Sequence, residues 1–111
     1  MKKLFTNYNL ELNKNEKKLL LSFCRQSLKQ IDGDGKYFAE SKSLNSIISK
    51  LSGSDDVIKL TKDERTRLKF QLKQNVDFMN KEIKKSWFFK RWLYKSLQKQ
   101  YENLLANHFE G

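Results

Sequence analysis

Between residues 81 and 99 the chain carries Lys81, Lys84, Lys85, Lys90, Arg91, Lys95 and Lys99, with Phe88 and Trp92 set among them. Plotted at helical spacing, Ile83, Trp87, Leu93, Tyr94 and Leu97 gather on one side of a helix. Lys81, Lys84, Lys85, Arg91, Lys95 and Lys99 gather on the other side, both rings fall with them, and Lys90 stands within the apolar stripe. Ammonium and guanidinium groups neutralise phosphate, while exposed rings stack on unpaired bases, so this pairing is the chemistry of nucleic-acid binding. Residues 62 to 101 contain 12 basic residues against four acidic ones, which places +8 of the chain's net +10 in this stretch.

Other readings compete for the same residues. Phe88 and Trp92 fit a core covered by the N-terminal helices, with the lysines snorkelling around that contact. For Trp92 taken alone the core is the stronger expectation, because large aromatics are usually buried. A helix lying in a lipid headgroup layer fits less well, since the opposite face is equally apolar and leaves no clean membrane-facing side. The apolar face itself suits a seam with a partner helix or a second copy of the chain, and Leu97, Tyr101 and Leu104 would carry it.

Other chemistry finds little support. His108 is the only histidine and stands near a helix end without a nucleophile or carboxylate constellation. Cys24, the only cysteine, reads as a small core hydrophobe on an apolar helix face. It excludes an intrachain disulfide and a multi-cysteine metal site. Asp32-Gly33-Asp34-Gly35 has the composition of a calcium loop, but in that register Gln30 and Ser41 would stand at the first and last ligand positions. Neither is a carboxylate, so the motif is a turn. With no glycine-rich phosphate loop and no metal-ligand spacing, the sequence predicts a non-enzymatic protein without a cofactor.

Composition bounds the rest. A chain of 111 residues with 38% hydrophobic and 13% aromatic residues is expected to form one folded domain, residues 1–111. The absence of Pro and only four Gly favour helix. The excess charge attracts polyanions, but only four of the 23 basic residues are Arg (25, 65, 67 and 91). Lysine suits phosphate neutralisation and is poor at bidentate base reading, which argues against tight sequence specificity. The opening Met1-Lys2-Lys3-Leu4-Phe5 lacks the apolar core of a signal peptide, and no stretch approaches a membrane span. A cytoplasmic location is the expectation.

The elements that position these groups are mainly α-helical. Asn13 and Glu16 form a capping box that starts a helix over 14–31, with Leu19, Leu20, Phe23, Cys24, Leu28 and Ile31 on one face. Leu44, Ile47, Ile48 and Leu51 predict a second helix over 41–52, with Gly53 placed for its C-terminal cap. Thr61 and Glu64 form a second capping box and open a helical stretch over 62–109. Its stripe runs Leu68, Leu72, Val76, Met79, Ile83, Trp87, Lys90, Tyr94, Leu97, Tyr101, Leu104 and His108 in steps of three or four. One unbroken helix would be long for so small a chain. Weak helix formers at Asn75, Asp77 and Asn80 and a capping Ser86 slightly favour a break between 80 and 86.

Residues 8–12 and 57–60 each read as a short extended segment, and at most one strand pair is expected. Leu10-Glu11-Leu12 through Glu16 echoes Ile58-Lys59-Leu60 through Glu64 at an offset of 48 residues, with Leu20, Cys24, Leu28 and Ile31 matching Leu68, Leu72, Val76 and Met79. Chance is the better explanation from sequence alone. The expected architecture is a small helical bundle with a long C-terminal amphipathic helix. Its leading role is nucleic-acid binding through Lys81, Lys84, Lys85, Phe88, Lys90, Arg91, Trp92, Lys95 and Lys99. A helix-mediated protein-interaction module (adaptor, inhibitor or homodimer) is the alternative.

Overall fold

The computed structural model describes residues 7–31, 33–85 and 88–109, with the side chains of Asn7, Tyr8, Phe88 and Phe89 outside that description. The element order is β1 (Asn7–Glu11), α1 (Lys14–Ile31), a 3-10 turn (Gly35–Tyr37), α2 (Phe38–Leu51), β2 (Val57–Thr61), α3 (Lys62–Lys85) and α4 (Phe88–His108). The chain divides into two compact units, Met1–Arg67 and Leu68–Gly111. The mainly helical architecture with one short strand pair is the one that the hydrophobic periodicity predicts.

In the first unit, β1 and β2 pair antiparallel, with Leu10 opposite Ile58. The Leu12 N–H donates to the Asp56 carbonyl at 3.0 Å and continues the ladder beyond the strand ends. Alternation puts Leu10, Ile58 and Leu60 on the buried face and leaves Asn9, Glu11, Val57 and Lys59 exposed. Leu10 and Ile58 are also equivalent positions in the 48-residue echo. The echoed segments therefore pair about a local two-fold axis through that residue pair. α1 and α2 pack against each other. Leu20, Phe23 and Cys24 of α1 and Leu44, Ile47 and Leu51 of α2 are buried with the strand leucines.

Both capping boxes form. The Glu16 N–H donates to Asn13 Oδ1 at 2.8 Å, and the Asn13 N–H donates to Glu16 Oε1 at 3.1 Å. The Glu64 N–H donates to Thr61 Oγ1 at 3.1 Å, and the Thr61 N–H returns to Glu64 Oε1 at 2.9 Å. Glu64 does more than cap. Lys50 Nζ reaches its Oε1 at 2.6 Å and the Ser46 hydroxyl donates to its Oε2 at 2.5 Å. One carboxylate, 7% exposed as a residue, thus joins α2, β2 and the start of α3.

Two boundaries differ from the sequence reading. α2 starts at Phe38 rather than near Ser41, because the preceding turn is already helical and feeds directly into it. Asp34 Oδ1 accepts the Lys36 N–H at 3.0 Å and Gly33 takes φ of 88°, so the Asp-Gly motif is a turn; Asp32 lies outside the described residues. Gly53 follows the Ser52 cap without the left-handed conformation of a glycine cap. Lys17 Nζ occupies the helix end instead, donating to the carbonyls of Gly53 at 2.8 Å and Asp55 at 2.6 Å.

In the second unit the long stripe is carried by two helices. Leu68, Leu72, Met79 and Ile83 of α3 are buried, as are Tyr101, Leu104 and Leu105 of α4 with Phe109 beyond it. Gln98 Nε2 donates to the Val76 carbonyl at 3.3 Å. A continuous helix would hold residues 22 positions apart at about 33 Å, so α4 folds back along α3. The weak helix formers Asn75, Asp77 and Asn80 lie inside α3 and do not end it. The helices stop at Lys85 and resume at Phe88, and the proposed cap Ser86 lies outside the described residues.

The Glu64 contacts give a pH test. Burial raises its carboxyl pKa, but hydrogen bonds from Lys50, Ser46 and Thr61 together with the Lys50 charge outweigh it, and the net displacement is downward. A depressed folded-state pKa contributes stability that is fully present above the unfolded value and lost as pH falls through the folded one. Glu64→Ala should cost about 2–3 kcal/mol at neutral pH. In chemical denaturation, Glu64→Gln should lose less stability than the native chain as pH drops from about 5 to 3.

Candidate nucleic-acid interface

The division into α3, ending at Lys85, and α4, starting at Phe88, corrects the single cationic face expected from Lys81 to Lys99. Lys81, Lys84 and Lys85 belong to the end of α3, whereas Phe88, Lys90, Arg91, Trp92, Lys95 and Lys99 belong to α4. No one helical wheel runs through both sets. Lys85 lies nine residues beyond Val76 and Lys90 eight residues before Gln98, so the chain reversal brings these cations to the same end of the helix pair.

On α4, Tyr101, Leu104 and Leu105 define the inward face. Trp92, Lys95 and Lys99 fall on the side opposite, at i, i+3 and i+7. Trp92 is 72% exposed, which corrects the expectation that this ring joins the core. An inward position is closed to it because the inward side of its own helix is already defined by the tyrosine and leucines. Lys90, in mid-stripe by spacing, is exposed as well, since it stands in the first turn of α4. The Phe88 side chain lies outside the described residues. Arg91 is exposed on α4.

On α3, Lys81, Lys84 and Lys85 are exposed. Lys85 Nζ approaches Glu82 Oε2 at 3.3 Å, an exposed i,i+3 pair that offsets little of its charge. Two further rings, absent from the sequence reading, share that helix's outer side. Phe70 is 61% exposed and Phe78 56% exposed. With Gln74, Lys81 and Lys85 they form an i, i+4, i+8, i+11, i+15 series. The signal was present: both phenylalanines fall off the Leu68–Leu72–Val76–Met79 stripe, and a large ring off the buried stripe of an amphipathic helix faces outward. The outer faces of α3 and α4 thus each combine exposed rings with lysines.

Elsewhere the polar groups hold the fold. A cleft of about 440 Å³ beside Phe38 and Lys42 includes Asp63, Glu64 and Arg67. Glu64 is occupied by Lys50, Ser46 and Thr61, and Arg67 by Asp63 and Glu40. Ser43 Oγ is buried there without a hydrogen-bond partner among the described residues. Burial pushes the Cys24 thiol up to about 12, so it is not a nucleophile at neutral pH. His108 is half-buried in the last turn of α4. Among the described residues no group of three His, Cys, Asp or Glu side chains could hold a metal ion, and no helix is long and apolar enough to cross a membrane. Comparison of the chain with protein families, curated proteins and solved structures gives no match.

Two measurements check this assignment of surface and core. Trp92→Ala should leave stability within about 0.5 kcal/mol, whereas Leu104→Ala should cost about 2–5 kcal/mol in the same denaturant series. A thiol reagent should modify Cys24 only after denaturant unfolds the chain; fast reaction of the native protein would contradict the burial.

Proposed function

We propose that the chain is a small, non-enzymatic accessory protein of the cytoplasm that binds nucleic acid, preferring single strands, through the outer faces of α3 and α4. The observation that carries this reading is Trp92, 72% exposed beside Lys95 and Lys99 on one side of α4. An indole held in water among ammonium groups is poorly explained as a solvated helix face. It suits a base to stack on, with phosphates drawn to the flanking cations. Phe70 and Phe78 supply similar platforms beside Lys81 and Lys85. Stacking needs a free base face, which a duplex withholds, and lysine-dominated charge supplies no bidentate base reading. What speaks against a helix-mediated protein-interaction module is that Tyr101 and Leu104, central to a partner-helix seam, are already buried.

The test is fluorescence anisotropy of a labelled oligothymidylate and a matched duplex, titrated across salt. Affinity for the single strand should fall linearly with salt on logarithmic axes. Lys95→Gln with Lys99→Gln should flatten that slope by about 1.4, and Trp92→Ala should cost about 1–3 kcal/mol without changing it. Absence of binding, or an affinity indifferent to salt, removes the proposal. A salt-insensitive dimer disrupted by Leu93→Ser would favour protein interaction instead.

A further inference from the structure

We propose that the cleft between α1 and the end of α2 binds a small amphipathic anion, an acidic head on an apolar body, of the fatty-acid class. The cleft has a volume of about 340 Å³ and lies wholly within the first unit. That is the lower end of the range that small-molecule sites occupy, about 300–1,000 Å³. It uses none of the rings or cations of α3 and α4, so it stands apart from the nucleic-acid reading.

Four cations line this cleft and no carboxylate does: Lys14, Lys17, Lys18 and Arg25. None of the four makes an ion pair among the described residues. Lys17 is the fixed point. Its ammonium is held by the carbonyls of Gly53 and Asp55 at 2.8 and 2.6 Å, which set its position without neutralising its charge. An ammonium has three N–H donors, and these contacts use two. The third is left for an acceptor in the cleft, next to Lys14 and Lys18 from the same turn of α1.

The rest of the cleft is apolar. Leu21, one turn beyond Lys17, and the buried Leu51 of α2 line it, and the lysine side chains add their aliphatic stems. The Ser52 hydroxyl is engaged with the Ile48 carbonyl at 2.7 Å. The remaining polar side chains of the cleft are cationic donors, which suit an anion better than the mixed donors and acceptors of a neutral base or sugar. A hydrocarbon body would cover Leu21 and Leu51 while its carboxylate meets the ammonium groups at the Lys17 end. Charge complementarity selects an anion, and the apolar lining selects its tail.

The full chain, 15N-labelled, should be titrated with decanoate below its micellar concentration while amide shifts are followed by NMR, with decanol and inorganic phosphate as parallel titrants. Decanoate should give saturable shifts centred on the amides of Leu21, Leu51, Ser52 and Gly53, and neither control should reproduce them. Lys14→Gln with Lys18→Gln, both exposed and tolerant of change, should weaken decanoate about tenfold. Trp92→Ala should leave it unchanged. Equal binding of decanol, equal binding of phosphate, or shifts centred on Phe70, Phe78 or Trp92 would each overturn the assignment.

Discussion

The first unit depends on a single carboxylate held where three elements meet. Glu64 caps α3 through Thr61, accepts the Lys50 ammonium from α2 and accepts the Ser46 hydroxyl one turn earlier on that helix. Taking a carboxylate out of water is unfavourable unless its lone pairs are filled, and here three donors fill them, one of them the charged Lys50 ammonium. Because the contacts converge on one residue, the strand end, the helix start and the α2 face are fixed together. Arg67, one turn later, extends the arrangement by bridging Asp63 and Glu40.

The second unit is held differently, by an apolar stripe that continues in phase through a change of chain direction. α3 and α4 each keep one inward face, and the Gln98–Val76 hydrogen bond fixes their sense. The consequence is topographic. Phe70, Phe78 and Trp92 lie off the stripe and are presented to solvent by the same geometry that buries Leu72 and Leu104. Both outer faces carry lysines, which is why ring and charge occur together.

Much of the fold was legible because its signals are local. Asn13 with Glu16 and Thr61 with Glu64 mark helix starts by hydrogen bonds spanning three residues, and alternation at residues 8–12 and 57–60 marks the strands. The break between α3 and α4 was harder to locate because the stripe's periodicity does not lapse there. Ile83, Trp87 and Lys90 are spaced as an unbroken helix requires. The weak helix formers at 75, 77 and 80 pointed too early, since burial of Met79 and Ile83 outweighs their local preference. For Trp92 the helical spacing, which set it among the cations and away from Tyr101 and Leu104, was the better guide than the general tendency of large aromatics to be buried. The basic cleft was illegible for another reason. Nothing in the spacing of Lys14, Lys18 and Arg25 along α1 signals a cleft, which exists only because α2 brings Leu51 and Gly53 near them.

The pairing of β1 with β2 joins segments about fifty residues apart in sequence. The whole α1–α2 pair lies between the two strands in the sequence. Bringing the α1–α2 hairpin together first shortens the effective loop and lowers the entropy of closing it. Strand pairing thus costs least loop-closure entropy once α1 lies on α2, and it is this non-local ladder that covers Leu10 and Leu12.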